Sequence, residues 1–140
     1  MPLLEQVLEK NPGKVKIVFK NLPIRSHKFA REAAVAALAA DRQGKFWEFH
    51  DELFKNYSGL NEKIIQDIAT KLKLNNAQFE KDRKDPLLLE HIDNDVNEGR
   101  QAGVYSVPTV FINGRKLKDR SLQGFQTLID KELETLGKSK

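Results

Sequence analysis

The sequence predicts an α/β protein in which one strand near the start and one β-hairpin near the end bracket a long helical block. Three observations carry this. The run Val15-Lys16-Ile17-Val18-Phe19-Lys20 is β-branched and partly alternating, the pattern of a strand buried on at least one face. From Ser26 onward, for about 75 residues, apolar side chains recur at helical spacing. The period then falls back to that of a strand in Val107-Pro108-Thr109-Val110-Phe111-Ile112. Asn113-Gly114 follows as a favoured two-residue hairpin turn, and Arg115-Lys116-Leu117-Lys118 returns as its partner strand.

The elements follow in order. Leu3, Leu4, Val7 and Leu8 fall on one face of a first helix, which Asn11-Pro12-Gly13 ends. After the strand at 15–20, residues 27–41 are dense in alanine, the best helix former, and Gln43-Gly44 breaks that helix. Residues 45–56 place Phe46, Phe49 and Leu53 on one side and Trp47, His50 and Phe54 on the adjoining side, a broad apolar face. Tyr57-Ser58-Gly59 reads as a turn, and Ile64, Ile65, Ile68 and Leu72 mark a helix ending near Leu74. Asn75 or Asn76 can cap a short helix running past Phe79 to Arg83. Asp85-Pro86 is a cap and first-turn pair for a longer one carrying Leu88, Leu89, Ile92, Val96 and Gly99, with Gly103 as its stop. A last helix from Ser121 to about Leu136 presents Phe125, Leu128, Ile129 and Leu133. No repeat, low-complexity tract or linker divides the chain. The expectation is one domain over 1–140, with 25–103 a mostly helical insertion and 104–136 a hairpin and helix.

Composition narrows the function classes. Hydrophobic residues make up 39% and charged residues 31% of the 140, which suits a folded domain rather than a disordered chain. No apolar stretch reaches the roughly 18 to 20 residues a membrane span needs. The start, Met-Pro-Leu-Leu-Glu-Gln, lacks the basic and apolar regions of a signal peptide; the chain as written is cytoplasmic by that mark alone, its localisation is unknown, and no membrane partner is expected. The net charge is +4. One basic cluster, Arg115, Lys116, Lys118 and Arg120, is joined at the tail by Lys138 and Lys140. It could meet phosphates, but no interleaved aromatics accompany it, so an anion or nucleic-acid binder ranks last among the readings.

There are no cysteines. Disulfides, thiolate metal sites and thiol redox chemistry by this polypeptide as written are therefore excluded. His50 with Asp51 and Glu52, and His91 with Glu90, Asp93 and Asp95, lack the second histidine at i+4 or the loop glycine that metal motifs use. No phosphate loop, nucleophile elbow or paired-carboxylate arrangement is present. No catalytic residue, metal or cofactor is assigned.

Three stretches carry a family resemblance. Lys14 to Pro23 is followed by the pair Ser26-His27; Gly44-Lys45-Phe46-Trp47-Glu48-Phe49-His50-Asp51-Glu52-Leu53-Phe54 forms the second; Gly103-Val104-Tyr105-Ser106-Val107-Pro108-Thr109, running on to Asn113-Gly114, forms the third. Together they resemble the DsbA-like thiol:disulfide oxidoreductases, which have a thioredoxin fold with a helical insertion. The resemblance implies a cis bond before Pro108, with Ser106, Val107 and Pro108 facing an extended peptide. The plain alternative is that Pro108 merely starts a strand, where a missing N–H is tolerated.

The departure from the family lies at the start. Its members begin with a strand and carry Cys-x-x-Cys at the first helix N-terminus, where the helix dipole stabilises a thiolate. This sequence resembles the family only from inside that first helix, so about 25 family residues are expected to be missing by usual strand and turn lengths. Met1 is then either an internal methionine of a longer protein or a genuine start. The missing strand is central, and its loss would leave two unpaired edges. Direct closure of the flanking strands, sharing of elements between chains, or addition of a peptide strand would each repair the sheet. Homo-oligomerisation through these edges is the favoured repair. The principal reading is a redox-inactive, self-associating binding or structural module. The alternative is the C-terminal portion of an oxidoreductase whose Cys-x-x-Cys lies upstream.

Overall fold

The computed structural model describes residues 2–23 and 29–138 of the 140. They form helices α1 (Pro2–Lys10), α2 (Ala30–Asp41), α3 (Phe46–Lys55), α4 (Glu62–Lys71), α5 (Asn76–Arg83) and α6 (Pro86–Gln101), strands β1 (Phe111–Ile112) and β2 (Arg115–Lys116), and helix α7 (Leu122–Lys138). The chain divides into two compact units, one built from residues up to Phe19 together with those from Val104 onward, the other from Lys20–Gly103. The pair Ser26-His27 and the expected start of the alanine-rich helix lie outside the described residues.

In the first unit, α1 and α7 close over the hairpin. Val7, Leu117, Phe125 and Ile129 form its buried centre, with Leu3, Leu4, Val15, Val110 and Ile112 packed against it. β1 and β2 pair antiparallel, Phe111 opposite Lys116 and Ile112 opposite Arg115. Asn113 (φ 48°) and Gly114 (φ 80°) both take the left-handed backbone that a two-residue turn of this hand demands. Buried Asn11 fastens the end of α1 to α7: its Nδ2 donates to Val7 O at 2.8 Å and to Gln126 Oε1 at 3.0 Å, and Gln126 Nε2 returns a bond of 3.0 Å to Asn11 Oδ1. At the head of α7 the Asp119 carboxylate accepts the Ser121 N–H at 3.0 Å, and Ser121 Oγ accepts the Gly124 N–H at 3.1 Å. The Ser121 N–H holds the Asp119 carboxyl below the usual carboxylate range.

The expected strand at 15–20 is not part of a sheet. Val15 to Val18 make no backbone hydrogen bond among the described residues. The alternation read from the sequence is nonetheless present, with Val15 and Ile17 half-buried and Lys16 and Val18 exposed. What is lacking is a neighbour, since alternation prepares one face of a strand but cannot supply the second strand that pairs with it. The two flanking segments do not close directly on each other. The hairpin is also shorter than the sequence suggests, although Leu117 N–H to Val110 O at 2.8 Å carries its pairing one step further.

The second unit is helical, with a short 3₁₀ turn at Tyr57–Gly59. Ala36, Ala39 and Ala40 of α2 are fully buried, and their small side chains let α3, α5 and α6 pack closely around it. Phe49 and Phe79 are both fully buried and meet with ring centroids 5.6 Å apart. Three helices start on side-chain caps: Asn61 accepts the Ile64 N–H at 2.9 Å, Asn75 the Gln78 N–H at 3.0 Å, and Asp85 the Leu87 N–H at 3.0 Å. The broad apolar face expected on α3 is narrower than its sequence suggests. Phe49, His50 and Leu53 turn inward, while Trp47 is 43% and Phe54 63% exposed.

Charged ties finish this unit. Arg42 reaches buried Asp82 at 2.8 Å and Asp85 at 2.9 Å, bridging the end of α2 to the α5–α6 junction. Glu52 receives Lys55 and Lys71, each at 2.8 Å, and the Lys55 ammonium chiefly holds its carboxyl below the usual range. Buried Asp95 of α6 accepts the Asn21 N–H at 2.9 Å and Asn21 Nδ2 at 2.8 Å. Lys20 pairs with Glu98 at 2.9 Å, and that carboxylate raises the lysine above its ordinary value.

Candidate functional site

The candidate residues Ser106, Val107 and Pro108 lie in the loop that leads from α6 to β1, in the first unit. Two side chains fix this loop. Thr109 Oγ1 donates to Ser106 O at 2.7 Å, and an Arg120 guanidinium N–H donates to Pro108 O at 2.7 Å. The Val107–Pro108 peptide bond is cis. With the carbonyls on either side occupied, Val107 keeps its own N–H and C=O without a bond among the described residues. Val107 is 46% exposed, and neighbouring Tyr105 is 87% exposed.

The open backbone continues into β1. In an antiparallel hairpin with a two-residue turn, the pair next to the turn exchanges hydrogen bonds and the following pair does not. Ile112 and Arg115 are the bonded pair, so the N–H and C=O of Phe111 point to the edge away from β2. That edge has no partner among the described residues. Val15 to Val18 form a second unpaired stretch, and Val15 packs against the same apolar centre as Val110 and Ile112. Two open backbone edges thus flank one core.

The basic cluster is only partly available. Arg115 pairs with Glu132 at 2.6 Å, and Arg120 is the residue that holds Pro108. Lys116 and Lys118 are exposed and make no ion pair among the described residues. Lys140 lies outside the described residues. The Arg120 contact is a structural feature that the sequence does not suggest, because twelve residues separate it from its carbonyl partner.

The histidine clusters stay within the helical unit. His50 is buried, with Nδ1 3.1 Å from the Asp51 carboxylate and its ring 5.4 Å from Trp47 and 4.6 Å from Phe54. His91 is exposed, with Nε2 3.4 Å from Asp95. Among the described residues no group of three or more His, Asp or Glu side chains is arranged to hold a metal ion. No helix among them is long and apolar enough to cross a membrane. An open hollow of about 390 Å³ on the helical unit is lined by Arg31, Glu62, Glu80 and Arg83 among others. Four of its charges are engaged with their neighbours, Arg83 with Glu62 and Glu80 and Arg31 with Asp93.

A thioredoxin family model matches residues 2–131. The chain belongs to the thioredoxin family. The crystal structure of a thioredoxin-like oxidoreductase from Silicibacter pomeroyi DSS-3 superposes with a TM-score of 0.82 at 24% identity, covering 96% of this chain and 77% of that one. This is a likeness of fold. A "Probable disulfide bond formation protein D" of Bacillus cereus is 29% identical, covering 94% of this chain and 63% of the relative. The Na(+)/H(+) antiporter NhaA 3 of Salinispora tropica is 35% identical over 103 residues, 73% of this chain but 16% of the antiporter. This thioredoxin-family chain therefore spans about one sixth of the antiporter relatives and under two thirds of the disulfide bond formation proteins. Its 140 residues include no cysteine, so what the site offers is backbone hydrogen bonding and cationic side chains rather than a thiol.

Proposed function

We propose that this chain is a redox-silent thioredoxin-fold binding module that accepts an extended polypeptide strand at its open edges, with Ser106, Val107 and Pro108 contacting that strand. Copies associate through the same edges when no other strand is supplied. The observation that carries this reading is the pair of backbone stretches unpaired among the described residues, Val15 to Val18 and the outer edge of β1, beside one shared core. Unpaired strand backbone is a template for another chain, and each hydrogen bond formed to its groups adds about 0.5 to 1.5 kcal/mol. A chain whose whole stability is on the order of 5 to 15 kcal/mol gains substantially by covering them.

Light scattering tests the association. The expected mass is a multiple of 16.0 kDa that falls on dilution, and a 16.0 kDa species with a cooperative melt at every concentration overturns it. A second reading is supported by the 63% coverage of the disulfide bond formation protein: the chain is the later portion of a longer thiol:disulfide oxidoreductase. An in-frame strand and Cys-x-x-Cys encoded upstream of Met1 would decide for that reading.

A further inference from the structure

The two units differ sharply in charge. Residues 1–19 and 104–140 hold ten Lys or Arg and six Asp or Glu, an excess of four, whereas residues 20–103 hold fourteen of each. The entire net charge of +4 therefore belongs to the unit with the open edges. Its carboxylates are partly spent within the unit, Glu132 on Arg115 and Asp119 on the Ser121 N–H.

The exposed cations also have a defined place around the open edges. Val15 and Ile17 turn inward while Lys16 and Val18 turn outward. Phe111 and Lys116 are directly opposite one another, so they share one face of the hairpin, and both are exposed. Lys118 follows two residues on and is exposed as well. The face left open beside these edges is thus apolar at Val18 and Phe111 and cationic at Lys16, Lys116 and Lys118.

Resting on the strand-accepting reading above, we propose that the preferred occupant of this edge is an acidic extended polypeptide, with apolar residues alternating with Glu or Asp. Side chains of a strand alternate between faces. The inward set of such a strand would meet the apolar centre around Val15 and Val110, and the outward carboxylates would meet Lys16 and Lys116. A second copy of this chain is the poorer occupant, because it brings the same excess of four positive charges to the contact. A nucleic acid can satisfy the cations but has no peptide backbone to pair with Val107, Phe111 and Val15 to Val18.

The test uses the whole chain and labelled synthetic peptides of about ten residues, a usual strand length, alternating valine with glutamate or valine with lysine. Binding is followed by fluorescence anisotropy and the mass of each complex by light scattering. The glutamate peptide is expected to bind at least tenfold tighter than the lysine peptide and to convert associated copies to a one-to-one complex. Its binding should weaken several-fold between about 0.15 M and 1 M salt, as screening shortens from roughly 8 to 3 Å. The double variant Lys16→Glu, Lys116→Glu changes only exposed side chains and should reverse the preference while leaving the melt unchanged. Equal binding of both peptides overturns the charge preference and leaves strand acceptance standing. Persistent self-association that neither peptide disturbs assigns the edge to a second copy and also overturns the proposal. A single-stranded oligonucleotide that displaces the glutamate peptide overturns it in favour of a general anion surface. A monomer that binds neither peptide defeats the strand-accepting reading itself.

Discussion

Replacing Phe49 with alanine is expected to destabilise the helical unit by about 3 to 5 kcal/mol, the usual loss for removing a fully buried phenylalanine. Phe49 has no exposed surface and packs against Phe79, itself fully buried, in the cluster that joins α2 to α3 and α5. The loss comprises the transfer of the ring to water and the cavity left among neighbours that relax only partly. Phe54 lies five residues along the same helix and is 63% exposed. Phe54→Ala should therefore cost no more than about 0.5 kcal/mol, the usual range for surface changes. Urea unfolding of the two variants checks the contrast. A loss below about 1 kcal/mol for Phe49→Ala would mean that this cluster does not hold the unit together.

Gly124→Ala is expected to destabilise the first unit, although alanine is ordinarily the better helix residue by about 1 kcal/mol. A Cβ at Gly124 would collide with the Asp119 carbonyl oxygen and lie 2.6 Å from the Asp119 Cγ. The nearest of these atoms belongs to the backbone, so the loop before α7 must move rather than a flexible side-chain tip. Overpacking of this kind costs about 1 to 3 kcal/mol, which outweighs the helix-propensity gain over most of that range. Gly137 is the internal control. It lies in the same helix, and a methyl group added there would meet nothing within 4 Å, so Gly137→Ala should be neutral or stabilising by up to about 1 kcal/mol. Thermal unfolding of both variants separates the two effects, and equal responses would contradict the close approach at Asp119. The displaced loop carries Arg120, whose guanidinium holds Pro108 O. The glycine therefore also supports the presentation of Val107.

The parts legible in the sequence are those written by local chemistry. Asn75 and Asp85 cap α5 and α6 because their short side chains reach a backbone N–H two or three residues on. Gly103 and Asn113-Gly114 mark places where the backbone takes positive φ, and the string from Gly103 to Gly114 points to the thioredoxin fold. The helix face of α3 is only half legible. A period of 3.6 residues names the apolar side chains, but the neighbours decide that Phe49 is covered and Phe54 is not.

The least legible features join distant residues. Asn11 to Gln126, Asn21 to Asp95 and Arg120 to Pro108 depend on the finished fold and leave no local pattern. The segment Val15 to Val18 shows the same boundary from the other side. Its alternation is plain in the sequence, yet whether it pairs depends on a strand that local periodicity cannot provide. The location of the charge excess is likewise invisible in the total of +4. It becomes informative only when the chain divides into its two units.

Amide hydrogen exchange at Val15 to Val18 and Phe111, measured on the whole chain across a dilution series, tests the open edge most directly. These amides should exchange fast in dilute solution, because no backbone partner among the described residues covers them, and become protected as the concentration rises or as a strand-forming peptide is added. Strong protection that persists unchanged at the lowest concentration, where the chain is a 16.0 kDa monomer, would show that the edge is already closed within one chain and would contradict the account.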